Sequence, residues 1–536
     1  MFKWKKLFQK KEHSEQGKES VPYLYNALQK NMDYIKQTLG GSTDVVFRNF
    51  HAGEDGSIKL GLIFTDGLVK DDFIHDYILK TLMSEIRETT FKHSVTKHNS
   101  NFDLLRKYAL TNAEMEVIEE MDKVFNHLLS GKTILLLDDC SKAFSIDSRG
   151  WEARKVEEPS SQAVVRGPKE GFTETLRTNT ALLRRRIKDP NLWIKSKPIG
   201  TKTQTDVAVA YMNGIASDEI VKEVYKRLNK IDVDSILDSG YIEELIQDET
   251  YSPFPTVYNT ERPDSIAAGL LEGRIAIIVD GSPFVLLVPA LFIQFFQSAE
   301  DYYQRADFAT LVRIIRYLSF FLALLTPSAY IALTTYHQEM IPTSLLISLS
   351  SQREGVPFPA FVEALIMELT FEILREAGVR LPKAVGSAIS IVGALVLGQA
   401  AVEAGLVSSA MVIVVSLTAI SSFVSPSFNF AISIRMLRFG FMVLAATFGL
   451  YGILLGVIAM VLHLTSLRSF GVPYMSPMAP YVKSDQKDVI LRFPRWGLFS
   501  RPRLINQTNI IREDTSKPEP TSTKRKFFKR KGRKKK

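Results

Sequence analysis

Charge is what the C-terminal half of this 536-residue chain lacks. Between Ala384 and Leu464 only Glu403, Arg435 and Arg438 are charged, dividing apolar stretches Ala384–Val402, Val407–Ile434 and Phe439–Leu464; Tyr317–Tyr336 adds a fourth with no charge. A membrane crossing needs about 20 mostly apolar residues, because backbone polar groups find no water in hydrocarbon. The sequence therefore predicts an integral membrane protein. Cysteine is almost absent, and Cys140 alone excludes an intramolecular disulfide and any multi-cysteine metal site. Paired catalytic carboxylates, metal-ligand clusters and a nucleophile elbow are lacking too, so no catalytic residue, metal or cofactor is expected. No continuous apolar run follows the lysines of Met1–Lys11. Without a signal peptide, the more charged N-terminal half is expected in the cytoplasm.

Positive charge is present but unevenly placed. Lys524–Lys536 carries ten of the 67 Lys and Arg, and the other 57 nearly balance 58 Asp and Glu, so the net charge of +9 belongs to the tail. Such a run cannot bury itself and is expected to be disordered. Following the last apolar stretch, Lys524, Arg525, Lys526, Lys529, Arg530 and Lys531 suit an anionic lipid surface, with Phe527 and Phe528 between them. A solubilising or retention tail without a partner stays open. No fold module accompanies the run, so no nucleic-acid partner is expected.

The N-terminal half carries an internal repeat. Leu128–Asp139 returns as Leu270–Gly281, and Leu60–Gly67 followed by Asp71–Ile74 matches Val207–Gly214 followed by Asp218–Val221, at offsets of 142 and 147 residues. The first pair reads as a helix end, a turn at Gly131 or Gly273, and a fully buried strand, Thr133–Leu137 or Ile275–Val279. The second reads as strand, turn and amphipathic helix. This predicts an α/β cytoplasmic region of two tandem similar subdomains followed by an α-helical polytopic membrane domain. The expected plan is a basic disordered N-terminus 1–21, subdomains 22–145 and 170–282, a linker 146–169, a transmembrane domain 283–482 and a disordered tail 483–536. The Gly131-Lys132-Thr133 sequence is not a phosphate loop, because that motif requires glycine where Asn126 stands and a helix where a strand is predicted.

Several blocks then fall in order. Leu271-Glu272-Gly273-Arg274 precedes a strand ending in Asp280-Gly281-Ser282-Pro283; Phe292-Ile293-Gln294-Phe295-Phe296 leads to Asp301-Tyr302-Tyr303; Gly355–Pro359 and Gly398–Gly405 follow; Leu467–Tyr474 closes the set. The pattern resembles the A subunit of the GerA-type spore germinant receptor family, densely over about 200–480. The long basic tail is a departure from it. The resemblance implies a non-enzymatic membrane subunit of a nutrient receptor that triggers spore germination, in the spore inner membrane. It also implies a permease-like B subunit, a lipoprotein C subunit and a homo-oligomeric ring of A subunits that conducts ions.

One segment fits a conduit on its own residues. Pro359–Glu376 starts with a helix signal, and Glu368, Glu372 and Glu376 share a stripe while Val362, Ile366, Leu369 and Ile373 share an apolar face. Glu363 lies about 140° from Glu368 and forms a separate candidate beside Val362. Val362, Glu363, Glu368 and Glu372 are thus the candidate ion-path residues, and an amphipathic helix lying on the membrane surface is the open alternative. Pro289 and Pro426 lie in apolar stretches and allow broken or re-entrant helices. Basic termini place both ends on the cytoplasmic side, with four to six membrane helices depending on whether Gly281–Ala299 and Pro359–Glu376 cross. A secondary transporter is the alternative function, disfavoured by a repeat confined to the soluble half. A membrane-anchored enzyme is less favoured still.

Overall fold

Two five-stranded antiparallel sheets with the same strand order build the N-terminal half. The computed structural model describes residues 23–52, 58–70, 72–80, 102, 105, 115–150, 158–159, 162–380, 398–505, 509–513, 515 and 517–518. The first sheet contains β1 (Val45–Ala52), β2 (Ile58–Thr65), β3 (Met115–Ile118), β4 (Lys132–Leu137) and β5 (Ala143–Asp147), in the order β1-β2-β4-β5-β3. The second contains β6 (Leu192–Ile199), β7 (Thr205–Met212), β8 (Tyr258–Thr260), β9 (Ile275–Val279) and β10 (Val285–Val288), in the order β6-β7-β9-β10-β8. The apolar runs at β4 and β9 take the central place in each, where helices cover them and every β9 residue is buried.

The repeat reaches single hydrogen bonds. Asp138 at the end of β4 accepts from Leu28 N (3.0 Å) at the start of α1 (Leu28–Thr38). Asp280 at the end of β9 accepts from Leu176 N (2.9 Å), the first residue of α3 (Leu176–Arg186). Each carboxylate meets a donor that the helix leaves unpaired. Asn31 ties back to Tyr25 N and O, and Asn179 to Thr173 N and O, in the same way. Helix α2 (Met121–Leu128) precedes β4 as α6 (Pro263–Leu271) precedes β9, through Gly131 and Gly273 at φ +86° and +95°. Two more helices, α4 (Asp218–Lys230) and α5 (Ser239–Ile246), cover the second sheet.

The units dock through loop 38–44. Thr43 N donates to Ile194 O (2.9 Å) on the otherwise unpaired edge of β6, Trp193 Nε1 to Thr38 O (3.2 Å), and Arg184 pairs with Asp44. An open sheet edge is thereby covered.

Among the described residues five α-helices follow: α7 (Ala306–Thr335), α8 (Thr343–Arg353), α9 (Ala360–Arg380), α10 (Ser409–Phe423) and α11 (Phe428–Ser466). Helices α7 and α11 are long and apolar enough to cross a membrane. Helix α11 is two legs joined at Gly449, whose φ of +60° and ψ of −141° are not helical. Asn429 reaches Glu243 and His463 bonds Ser252, so both ends return to the α/β half, whereas a straight helix would part them by roughly 50 Å. Tyr336 at the far end of α7 bonds Ala446 O beside the bend. The chain therefore enters and leaves the helical region at one end.

Several expected boundaries move. The 282/283 limit falls inside the second sheet, since β10 pairs with β9 and β8 and Phe292–Phe296 pack beneath it; Gly281–Ala299 is no crossing, and Pro289 lies outside any membrane helix. The 145/146 limit cuts β5. Val407–Ile434 is not one helix but breaks at 424–427 around Pro426, and Phe439–Leu464 folds back at Gly449. The tail is ordered past 483 because Val489 and Ile505 are buried in the core of the second unit. The segment 1–21, most of Ala384–Val402 and the run Lys524–Lys536 lie outside the described residues.

Candidate functional site in the helical region

Helix α9 turns its acids inward. Ile366, Leu369 and Ile373 are exposed on its outer side, while Glu363 and Glu368 are fully buried and Glu372 is half-buried. Val362 is half-buried, and Glu376 is exposed and paired with Arg380. A carboxylate in a helix bundle needs a counter-charge or donor. Arg435 and Arg438, on the first leg of α11, supply it. Arg435 Nη1 lies 2.6 Å from Glu372 Oε2, and Arg438 Nη2 lies 3.1 Å from both Glu372 Oε1 and Glu368 Oε2. The Glu368 contact is an ion pair by distance without hydrogen-bond geometry, and neither Glu368 oxygen has a hydrogen-bond partner among the described residues. Arg375 stacks 4.6 Å from the Phe423 ring nearby.

Glu363 belongs to a second cluster, as the 140° separation requires. It accepts from Ser408 N (2.6 Å) and Ser408 Oγ (2.5 Å), with Arg353 Nε at 3.8 Å. Ser408 also caps α10 by accepting from Met411 N. The carboxylate sits at the positive end of that helix, where the dipole favours it.

A third network joins the bundle to the α/β half. Asp301 holds Arg316 (2.7 Å) and Arg313 (3.2 Å), and Arg313 Nη1 reaches Asp488 Oδ1 (2.8 Å). Tyr302 donates to Asp488 Oδ2 (2.7 Å); burial pushes its phenol well above the usual range, so it remains a donor. Tyr303 donates to Asp264, itself paired with Arg262. Arg274 donates to Pro289 O (3.0 Å) and to Gln294. Phe292, Phe295 and Phe296 pack with Phe320, Phe430 and Tyr474 in one aromatic core. The ordered blocks of the sequence from 271 to 303 and 467 to 474 thus converge on this junction.

Sequence reasoning missed the basic partners. Arg435 and Arg438 served only to divide apolar stretches, and the only signal was their three-residue spacing, which puts both on one helix face. Asp488 lay in the expected tail and gave no signal. Among the described residues no group of three or more His, Cys, Asp or Glu is arranged to hold a metal.

A duplicated α/β unit is coupled through charged and aromatic contacts to an apolar helix bundle that contains internal ion pairs and two helices of membrane-crossing length, an architecture suited to membrane association. The sequence matches the Bacillus/Clostridium GerA spore germination protein family over residues 33–504, and the chain belongs to that family, with a role in spore germination. It is 49% identical over 511 residues to spore germination protein KA of Bacillus subtilis (strain 168), covering 95% of this chain and 92% of that one. It is 46% identical over 482 residues to the membrane protein YfkQ of the same organism, covering 90% and 92%. A crystal structure of the N-terminal domain of the A subunit of the Bacillus megaterium spore germinant receptor GerK3 is 40% identical, covering 52% of this chain and all of that one, with a TM-score of 0.41.

Proposed function

We propose that the chain is the A-type membrane subunit of a nutrient germinant receptor in the spore inner membrane, with its α/β half and both termini on the cytoplasmic side. It works beside a permease-like B subunit and a lipoprotein C subunit, and copies of it form a ring that passes ions when nutrient is sensed. Family membership supports the receptor role. The observation that carries the conduit is the inward acidic side of α9, where Glu368 and Glu372 face Arg438 and Arg435 inside an apolar bundle. Ionised groups at such depth are costly and mark ion pathways. In this state the arginines neutralise the acids, so the structure suits a closed path. Separation of α9 from α11 exposes Glu368 and Glu372, with Glu363 and Val362 further along the helix.

The experiment is cation release from spores that depend on this receptor, exposed to rich nutrient broth. Glu368→Lys and Glu372→Lys are expected to suppress release at normal protein level. Unchanged release in both would return the conduit to another helix.

A further inference from the structure

We propose that segment 489–499, which follows the bundle, is an interfacial anchor that lies in the headgroup region of an anionic membrane leaflet. The inference rests on the bundle spanning a membrane, and goes beyond it by giving a second chemistry to a stretch outside the bundle.

Its residues sort into two sets. Val489 and Arg492 turn inward: Val489 is buried in the second α/β unit, and Arg492 N donates to Thr310 Oγ1 (3.1 Å) on α7. Five large apolar side chains turn outward. Ile490, Leu491, Phe493, Trp496 and Phe499 are 38–53% exposed, an apolar density that a surface in water does not favour. Arg495 and Arg503 are exposed among or beside them.

The position decides the occupant. Arg313 binds Asp488 and Val489 O, and Tyr317 donates to Val489 O (3.5 Å), so the segment is fixed against α7 where its uncharged stretch begins. That is the level at which a spanning α7 meets the headgroups. Trp and Phe with interspersed Arg form the composition that settles there, rings among the acyl ends and guanidinium groups on phosphates. The anchor therefore fixes the α/β half against the bilayer through the junction network rather than through the helices alone.

The test uses the full chain in vesicles of phosphatidylcholine with or without phosphatidylglycerol. In a Cys140→Ser background, Phe493→Cys and Phe499→Cys carry an environment-sensitive fluorophore, with Ile458→Cys on α11 and Lys226→Cys on α4 as references. Both anchor labels are expected to be quenched by nitroxide lipids and shielded from iodide, more so with phosphatidylglycerol. Arg495→Glu combined with Arg503→Glu is expected to reduce that lipid quenching severalfold and leave the Ile458→Cys signal unchanged. Iodide quenching equal to the Lys226→Cys reference overturns the proposal, and so does shielding from both quenchers, which signifies a protein partner. Loss of lipid quenching at Ile458→Cys instead contradicts the spanning bundle, and the anchor falls with it.

Discussion

Arg184 and Asp44 lie 140 residues apart in sequence and form a two-pronged ion pair, Nε to Oδ2 at 2.7 Å and Nη2 to Oδ1 at 3.0 Å, with neither side chain more than 1% exposed. They join the two α/β units at their interface. Loss of one partner strands the other charge in a dry site, which costs about 3–5 kcal/mol. Arg184→Met is expected to lower the denaturant midpoint of the α/β half, read from the fluorescence of Trp193 at the same interface. Arg184→Met with Asp44→Leu is expected to recover much of the loss, because no unpaired charge remains.

Gly449 is a backbone requirement. At φ +60°, a Cβ there would meet His337 at 2.7 Å and Tyr336 at 3.1 Å. Gly449→Val combines left-handed strain, on the order of 1–3 kcal/mol, with that clash. The expected result is a lower melting temperature in detergent and less chain in the membrane fraction, whereas Gly440→Ala, with open space around it, is expected to be neutral.

His127 gives the α/β half a pH dependence. Burial, and then Lys132, hold its imidazole below the ordinary value, with Glu116 opposing, while Nδ1 rests 2.7 Å from Ser145 Oγ. The folded state thus disfavours the proton. The stability contributed is complete above the unfolded value of about 6.5 and is lost as pH falls through the folded value. Denaturation between about pH 7.5 and 5.5 is expected to show this fall, and His127→Gln is expected to flatten it.

Ser408 and Glu363 hold the start of α10. Ser408→Ala removes the cap and is expected to cost about 1 kcal/mol. Glu363→Leu is expected to cost more, since it leaves the buried Ser408 N without its acceptor and Arg353 without its counter-charge, and thermal unfolding in detergent distinguishes the two.

The α/β half was legible because its signal is local: short apolar strands, a glycine turn and an aspartate, repeated at a near-constant offset. Its docking was not, because Arg184 and Asp44 look like any surface charges until the fold brings them together. In the helical region, apolar length located the helices but not their bends. The break at Pro426 was signalled by the proline itself, whereas the left-handed backbone at Gly449 depends on packing against Tyr336 and His337 rather than on hydropathy. The acids of α9 stood out by spacing, whereas their arginine partners lie some 60 residues later and only tertiary structure reveals the pairing.

Charge exchange across α9 and α11 tests the central claim most directly. Cation release into the medium is followed from nutrient-exposed spores carrying Glu372→Arg, Arg435→Glu, or both. Each single change leaves like charges facing across a contact of 2.6 Å, and is expected to abolish or deregulate nutrient-triggered release at normal protein level. The exchange restores the pair and is expected to recover much of the regulated release. Wild-type release in both single variants would contradict a role for this pair in the path, and a double variant no better than either single would contradict the pairing itself.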